Sequence, residues 1–491
     1  MKKLRIREIG RAARISLFLT LVLAPILWAT SFAQQPGRPG ASLDAANAPA
    51  VAARRAKLME SCNDAVIIIP SQYKARDGMR DNLNYLYLTG LQEPEAVLVL
   101  DPNGSPRETL FRPRAGGPGG PGASAGPSAQ SQPSSADKGI VEKPVAQLSP
   151  SLRSISMSGR LKRVFLPFSD LDFLSRTFGA FNPLAQSETI LNLDPTLFEM
   201  RMIKDADEIQ ALREAIDLTA DALNEAYRAA EPGVREVDLA AILRYAFNKR
   251  ETKESFLQAA SGPNSTNVHF GATARPLEMG ELVVFDVGAY VRGYTSDISR
   301  TIPANGRFTK EQRALYGLVL EAEKEGCRRL VPGVTFKAVQ DEVENVLMTG
   351  LEKLGLVTDV KSPWQRRLYI QHGFGHGIGL DIHDAWSWHS PRLDKVAMAP
   401  GMVMTMEPGL YFPEARFEAS LAALKGKVPD AEIATFREKA GPLYKKYAGM
   451  GVRIEDDVLI TATGNEILST RVPKEITDIE KLMREKSFFN K

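Results

Sequence analysis

Three short apolar segments of this chain each lead directly into an acidic residue. Asp286 follows a Leu-Val-Val-Phe run, Glu407 follows Val-Met-Thr-Met, and Glu455 follows Val-Arg-Ile. Runs of this length and composition predict buried strands. A carboxylate at the end of a buried strand is costly unless a cation neutralises it. The chain is therefore expected to adopt a fold that brings these strand ends together around positive charge.

The histidines are concentrated in one glycine-rich segment. The chain has five histidines, and three of them, His372, His376 and His383, lie between Gln371 and Asp384. Glycines admit close approach of a ligand or metal to the backbone, and imidazole is a common metal ligand. A single histidine on an apolar strand is usually a packed core residue, but three in such a segment indicate a functional site.

A predicted hairpin adds another carboxylate to this set. The strand that leads into Asp286 is followed by an Arg-Gly turn and a second apolar segment, which indicates a β-hairpin with Asp286 and Asp297 facing each other. Facing residues have Cβ atoms about 5 Å apart, and two carboxylates so placed can bridge divalent ions about 3.5–4 Å apart. Four carboxylates and one imidazole form a mainly hard ligand set, which favours Mn²⁺, with Co²⁺ or Zn²⁺ as alternatives.

Two domains are predicted, and the fold class is α/β (α+β). Residues 55–200 carry short aliphatic runs at 65–69 and 96–100, with helical patterns between and after them, as in an α/β unit. A second domain is predicted over 201–491. It begins with a helix that Asp205 caps, with Glu208 three residues further on.

The first 33 residues are predicted to be a signal peptide. A basic start precedes an apolar run from Ile15 to Trp28, and Ser31 and Ala33 are small residues at the positions that a signal peptidase reads. The alternative is a membrane anchor, but the run is shorter than the roughly 20 residues of a bilayer span. We expect cleavage after Ala33, a flexible leader over 34–54, and export to a periplasm or the exterior with no remaining membrane span.

Charge and cysteine content constrain partners and cross-links. The formal net charge is +3, and the first 33 residues carry six basic side chains against one acidic one, so the remainder is near neutral. Because it has no basic stripe interleaved with aromatic residues, nucleic acid is not an expected partner. Cys62 and Cys327 are the only cysteines. The sequence leaves open whether they form a disulfide or remain two free buried thiols.

Two segments are predicted to be insertions. Residues 115–138 consist almost entirely of Gly, Ala, Pro, Ser and Gln, and they lack apolar side chains large enough to offset the entropy of ordering. We expect a disordered surface insertion within the first domain. Residues 414–449 have helical composition between two strand-like segments, which predicts a helical insertion that forms either a lid or a surface elaboration.

Five ordered motifs resemble the pita-bread metallopeptidases, and aminopeptidase P most closely. They are VFDVG at 284–288, TSDISR at 295–300, the segment 372–384, MEPGLY at 406–411 and GVRIED at 451–456. The resemblance runs from about Ile203 to the carboxyl end. In the first domain, RDNLNYLYLTG at 80–90 and EPEAVL at 93–98 are similar to the amino-terminal domain of that family.

The resemblance implies an Xaa-Pro aminopeptidase, a hydrolase that uses two divalent metal ions to release the residue preceding a proline from the amino end of peptides. The positions that match its metal ligands are Asp286, Asp297, His376, Glu407 and Glu455, of which Asp297 and Glu455 would bridge the ions. Glu407 would also transfer protons, and His383 and His269 would be the catalytic histidines. The proline pocket would be lined by His372, Tyr411 and Arg453. The family suggests a homodimer or homotetramer.

Other functions fit part of the same pattern. Prolidase shares the metal ligands but accepts only dipeptides, so cleavage of a tripeptide would distinguish the two. A pita-bread module that has lost catalysis and binds proteins is an alternative of another class, although all five matching positions here are acidic or histidine. Methionine aminopeptidase is disfavoured by the predicted export signal and the large first domain.

Overall fold

The computed structural model describes residues 48–75, 78–113, 140–168, 187–385 and 395–489. The predicted signal peptide, residues 34–47 of the predicted leader and the insertion 115–138 lie outside these residues. The leader prediction is wrong for residues 48–54, because helix α1 spans Ala48–Ser61. Arg54 of this helix is buried, and its Nε donates to Oδ2 of Asp205 at 2.9 Å. The alanine-rich sequence at the start of this helix has a high helix propensity, which its packing against the rest of the chain reinforces.

A six-stranded mixed sheet organises the amino-terminal part of the chain. Its strands and the neighbouring hairpin are β1 (Val66–Pro70), β2 (Gln72–Ala75), β3 (Gly78–Asp81), β4 (Val97–Leu100), β5 (Glu108–Arg112), β6 (Val141–Pro144), β7 (Arg163–Leu166) and β8 (Thr189–Asn192). The strand order is β6-β5-β4-β1-β7-β8, while β2 and β3 pair separately. Every residue of β1 and β4 is buried, as their aliphatic sequences predict. The helices of this part are α2 (Leu83–Thr89), α3 (Leu148–Met157) and α4 (Asp194–Met202).

Two helices lead into the second half of the chain, α5 (Ala206–Ala229) and α6 (Glu236–Asn248). The predicted cap of the first is confirmed. Oδ1 of Asp205 accepts the backbone N–H of Glu208 at 3.0 Å, and Oε2 of Glu208 accepts the backbone N–H of Asp205 at 3.0 Å. This reciprocal pair satisfies two amide groups that the first helical turn leaves free.

The second sheet is antiparallel and centres on one long strand. Its strands are β9 (Glu254–Ser261), β10 (Leu282–Val291), β11 (Tyr294–Thr295) and β12 (Ile298–Pro303). Strand β10 pairs with the other three, and the predicted hairpin is confirmed. Its turn contains Arg292 and Gly293, both at positive φ. Helices α7 (Lys310–Arg329), α8 (Phe336–Lys353) and α9 (Pro363–Tyr369) follow.

The last part of the chain adds two further antiparallel sheets, one of three strands and one of two strands. Its elements are β13 (Val403–Met406), β14 (Gly409–Tyr411), α10 (Arg416–Ala423), α11 (Asp430–Tyr447), β15 (Gly451–Arg453), β16 (Asp456–Ile460), β17 (Asn465–Ile467) and α12 (Ile476–Leu482). The three-stranded sheet has the order β13-β16-β17, and β14 pairs with β15. The helices α10 and α11 lie within 414–449, where the helical insertion is predicted. They leave from and return to the paired strands β14 and β15.

Both cysteines are buried free thiols. They belong to one extended hydrophobic core, which contains residues from both halves of the chain. Within the part of the chain that the structure describes, no helix combines the length and the apolarity needed to cross a bilayer.

Candidate active site

Asp286 lies in the middle of a row of three polar side chains on the second sheet. It pairs directly with Gln258 of β9 and with Ser299 of β12. Directly paired residues of antiparallel strands project from the same face. The prediction that Asp286 and Asp297 face each other is therefore wrong, because Ser299 occupies the position opposite Asp286. Asp297 lies between β11 and β12, and its backbone N–H donates to Oδ2 of Asp457 at 3.2 Å instead of to β10.

Acidic and imidazole ligands meet beside this row. Asp297, His376 and Glu455 each offer a ligand atom, and these atoms all lie within 4.8 Å of one another. Nε2 of His376 is 3.6 Å from Oδ2 of Asp297 and 3.4 Å from Oε1 of Glu407. Among the described residues, Oδ1 of Asp297 and Oε1 of Glu455 have no hydrogen-bond partner. Buried carboxylate oxygens with free lone pairs, next to an imidazole, fit divalent metal ions.

Ser299 joins Asp286 to this cluster. Its Oγ lies 2.8 Å from Oδ1 of Asp286 and 2.7 Å from Oε2 of Glu455. Nε of Arg453 donates to the same hydroxyl oxygen at 2.7 Å. A hydroxyl has one proton to donate, so Ser299 donates to one carboxylate at a time. All five predicted metal ligands are thus brought together by the fold.

The carboxylates of the cluster repel one another. Burial, followed by the charge of Glu455, raises the pKa of both Asp297 and Glu407 well above the usual range. Burial and the charge of Asp286 raise the pKa of Glu455 to about 7. Several buried acids that disfavour one another's ionisation are the electrostatic environment that a bound dication relieves.

His376 is held with Nε2 toward the carboxylates. Its backbone N–H donates to Oγ1 of Thr405 at 3.0 Å, and its Nδ1 lies 3.1 Å from the carbonyl oxygen of Gly377. That contact suits an Nδ1–H donor, which leaves Nε2 as the ligand atom. Gly375 is needed nearby, because a Cβ there would lie 2.2 Å from the carbonyl oxygen of Thr405. Burial and the neighbouring His383 lower the pKa of His376 well below its usual range, so the ring is neutral.

The two predicted catalytic histidines both lie near the cluster. The ring of His383 lies edge-on to that of His376, with centroids 4.2 Å apart. His269 lies in the segment after β9, close enough to Arg453 and Asp286 for their charges to affect its pKa. Burial and the positive charge of Arg453 lower its pKa, so it is a neutral donor near pH 7.

The three residues predicted to line a proline pocket are connected. Nη1 of Arg453 donates to the hydroxyl oxygen of Tyr411 at 2.8 Å, and that hydroxyl lies 3.0 Å from Nε2 of His372. Arg453 is 1% exposed, and its guanidinium also contacts the carboxylate of Asp286. The arginine therefore orients both Tyr411 of the predicted pocket and Asp286, a predicted metal ligand. Burial and the charge of Arg453 lower the pKa of His372 to about 3, so its ring is neutral.

Several residues that support the site were missed by sequence reasoning. Ser299 lies inside a recognised motif, but its position between two ligands follows only from the register of β10 and β12. Asp457 and Arg201 contact the site or its loops from distant parts of the chain. No local pattern distinguishes them from ordinary charged residues.

Comparison with protein families identifies the second half of the chain. The model of metallopeptidase family M24 matches residues 210–462, just over half of the chain. The chain belongs to metallopeptidase family M24. In addition, the model described as the aminopeptidase P N-terminal domain matches residues 51–116.

Two curated relatives are similar over about three fifths of the chain. The Xaa-Pro aminopeptidase of Haemophilus influenzae is 36% identical over 300 residues, which cover 60% of this chain. The Xaa-Pro aminopeptidase of Escherichia coli is 34% identical over 311 residues, or 62% of this chain. Each alignment spans 64% of the relative's own length.

A solved structure matches over a longer range. The aminopeptidase PepP of Pseudomonas aeruginosa superposes with a TM-score of 0.72 at 29% identity, and the match covers 89% of this chain and 98% of that one. The predicted fold class is thereby confirmed: an α/β amino-terminal domain is followed by the pita-bread catalytic domain of the M24 family.

Proposed function

We propose that this protein is an Xaa-Pro aminopeptidase, which releases the first residue of a peptide when the second is proline. The observation that carries the proposal is the buried group of Asp297, His376 and Glu455, with Glu407 beside it. The names of the similar proteins support the same activity. The resemblance of both halves of the chain to aminopeptidase P favours this function over a bare M24 catalytic domain.

The proposed metal ligands are the residues that match the ligand positions of the five motifs and also lie close together in the structure. Asp286, Asp297, His376, Glu407 and Glu455 would hold two divalent ions. The excess of carboxylate oxygens over nitrogen supports Mn²⁺. When bound, the ions polarise the scissile carbonyl and lower the pKa of water toward neutrality.

The remaining steps belong to the side chains. Glu407 accepts a proton from the attacking water and returns one to the departing proline nitrogen, as its partly exposed carboxylate allows. His383 and His269 orient the peptide and donate to the developing negative charge on the carbonyl oxygen. Because the amide nitrogen of proline carries no N–H, the site cannot hold this residue through a hydrogen bond from that nitrogen. The wall formed by His372 and Tyr411 holds the ring by its shape instead.

Export is part of the proposal and rests on the amino-terminal pattern. Residues 1–33 act as a signal peptide, and the mature protein is released to a periplasm or the exterior. A homodimer or homotetramer is proposed by analogy with the family.

The decisive experiment measures cleavage of the tripeptide Ala-Pro-Ala by the mature protein after metal removal and after addition of Mn²⁺. We expect metal-dependent release of alanine alone, and its loss in Glu407→Gln. Glu414→Gln, an acidic residue seven positions further on, is the matched control and should retain activity. Hydrolysis of Ala-Pro but never of the tripeptide would establish a prolidase. No cleavage with any divalent ion would favour the binding module.

A further inference from the structure

Gln258 is a buried polar residue beside Asp286 that takes no part in the proposed mechanism. It lies on β9 directly opposite Asp286 and is 4% exposed. Its side chain therefore projects from the same sheet face as Asp286 and Ser299. Gln258 lies on the side of Asp286 away from Ser299 and Glu455, so it extends the row of polar groups beyond the metal ligands.

The orientation of its carboxamide is fixed by one hydrogen bond. The backbone N–H of Phe270, the residue after His269, donates to Oε1 of Gln258 at 3.0 Å. Because a backbone N–H can only donate, the atom it contacts must be the oxygen. The two N–H groups of Nε2 are therefore available to a different acceptor.

Nε2 of Gln258 has no hydrogen-bond partner among the described residues. A buried donor without an acceptor is costly, so native proteins seldom retain one. Asp286, directly across the strand pair, is already engaged, because Ser299 and Arg453 contact its two oxygens. The other unpartnered atoms on this side of the sheet include carboxylate oxygens of the metal cluster. The acceptor for Nε2 is therefore expected to arrive with the substrate.

An Xaa-Pro peptide offers few suitable acceptors. The scissile carbonyl is expected at the metal ligands, the terminal ammonium is a donor, and the proline ring with its own carbonyl lies on the leaving-group side, toward the wall of His372 and Tyr411. The side chain of the first residue is the remaining group that can accept beside Asp286. We infer that Nε2 of Gln258 is a specificity-determining donor to an oxygen on the side chain of the residue preceding proline. This inference rests on the proposed function.

The test compares two substrates whose first side chains have similar size and shape, Asn-Pro-Ala and Leu-Pro-Ala. For the wild-type holoenzyme we expect kcat/KM for the asparagine peptide to exceed that for the leucine peptide by about tenfold. A bound leucine side chain leaves Nε2 of Gln258 buried without an acceptor, which weakens binding. In Gln258→Met, which has a similar volume and no donor, the ratio should fall to one or below. The change should lie mainly in KM.

Gln258→Glu distinguishes the role of Nε2 as a donor from the role of Oε1, which accepts the hydrogen bond from the loop at Phe270. The glutamate keeps an acceptor for the N–H of Phe270 but replaces the amide donor, so it should also lose the preference for asparagine. Leu257→Met is the matched control, since Leu257 pairs with Val287 on the other face of the sheet. It should keep the wild-type ratio.

Two results would overturn the inference in different ways. If both Gln258 variants cleave the peptides with the wild-type ratio, Gln258 does not contact the first side chain, while the proposed function stands. If the wild-type protein cleaves neither tripeptide with any divalent ion, the proposed function fails and the specificity assignment fails with it. Circular dichroism identifies a variant that has not folded, and the other variant then decides.

Discussion

Nη2 of Arg201 lies 2.6 Å from Oδ1 of Asp384, and the two side chains are 5% and 3% exposed. Arg201 belongs to α4, whereas Asp384 directly follows His383. Nη1 of the same guanidinium donates to Oδ1 of Asn84 in α2 at 2.9 Å. Oδ2 of Asp384 accepts the backbone N–H of Leu380 at 3.0 Å. One arginine therefore connects the amino-terminal sheet region to the loop that carries His383, the proposed catalytic histidine.

Replacement of this arginine should cost both stability and activity. Arg201→Gln leaves Asp384 buried with Lys204 as its remaining cationic neighbour, and burial lowers the pKa of that lysine. We expect the free energy of unfolding to fall by about 3 kcal/mol, as for other broken buried pairs. Because the loop before Asp384 also loosens, kcat should fall. Urea denaturation and steady-state kinetics measure the two effects.

A matched control compares the stability lost when a buried ion pair is broken with the stability lost when an exposed ion pair is broken. Arg213 forms an exposed pair with Glu466 at 2.6 Å, and Arg213→Gln should change stability by less than about 1 kcal/mol. The double variant Arg201→Gln/Asp384→Asn removes the buried charge as well and should recover part of the loss. Equal urea midpoints for Arg201→Gln and Arg213→Gln would contradict this account.

Ser299 should control metal affinity without being a ligand. Its hydroxyl lies within hydrogen-bond distance of Asp286 and Glu455, so Ser299→Ala removes the group that orients both carboxylates. Loss of such supporting bonds typically weakens metal binding by about 10–100-fold. Titration of the metal-free protein with Mn²⁺, followed calorimetrically, measures the change. Ser299→Thr keeps the hydroxyl and should bind within a few-fold of wild type; similar affinity in the alanine variant would refute the orienting role.

Metal removal should destabilise the folded chain. Without bound cations the acids of the site lie buried beside like charges: burial and the charge of Glu455 raise the pKa of Asp297 and Glu407, and burial and the charge of Asp286 raise the pKa of Glu455. A ligand that binds only the folded state stabilises it by mass action. Calorimetry with EDTA and then with excess Mn²⁺ should show a Tm that rises with metal. Asp297→Asn should reduce the increase, and an unchanged Tm in the wild type would argue against a metal centre here.

Sequence patterns identify the acidic residues of the site more readily than the residues that hold them in place. Asp286 lies within β10 and Glu407 directly follows β13, and the apolar residues before each of them can be recognised from local composition alone. The pairing of Asp286 with Ser299 continues the register of the two-residue turn at Arg292 and Gly293, beside which Val291 pairs with Tyr294. Asp297 lies outside this ladder, and its backbone N–H donates to Asp457, 160 residues away, a contact that no local pattern shows. Likewise, the alanine-rich start of α1 could be recognised as a helix only from its packing, in which Arg54 reaches Asp205.

A buried ion cluster behind the metal site should make stability depend on pH. Nζ of Lys474 lies 2.8 Å from both carboxylate oxygens of Glu323 and also contacts Asp456, the residue after a predicted metal ligand. Burial and the charge of Asp456 raise the pKa of Glu323 to about 7. The ordinary value for glutamate in an unfolded chain is about 4.3. Between these values the folded state binds a proton that the unfolded state does not.

The contribution of Glu323 to stability is therefore complete below about pH 4 and declines as pH rises to about 7. Its partners do not titrate in this range. The pKa of Asp456 is lowered by Arg300 and Lys474 in spite of burial, so its contribution is lost only in acid. The pKa of Lys474 is raised by Asp456 and Glu323 in spite of burial, so its contribution persists until alkaline pH.

Glu323→Gln should consequently lose part of the pH dependence of unfolding. In EDTA, the free energy of unfolding of the wild type should fall more steeply between pH 5 and pH 7.5 than that of the variant. The slope is the readout, because the variant also loses a partner for Lys474 at every pH. Glu325→Gln is the control on the same helix: hydrogen bonds from Arg328 and Arg329 lower the pKa of Glu325 to about 2. Its titration lies below the measured range, so its slope should match the wild type, and a Glu323→Gln slope equal to both would exclude Glu323 as the titrating group.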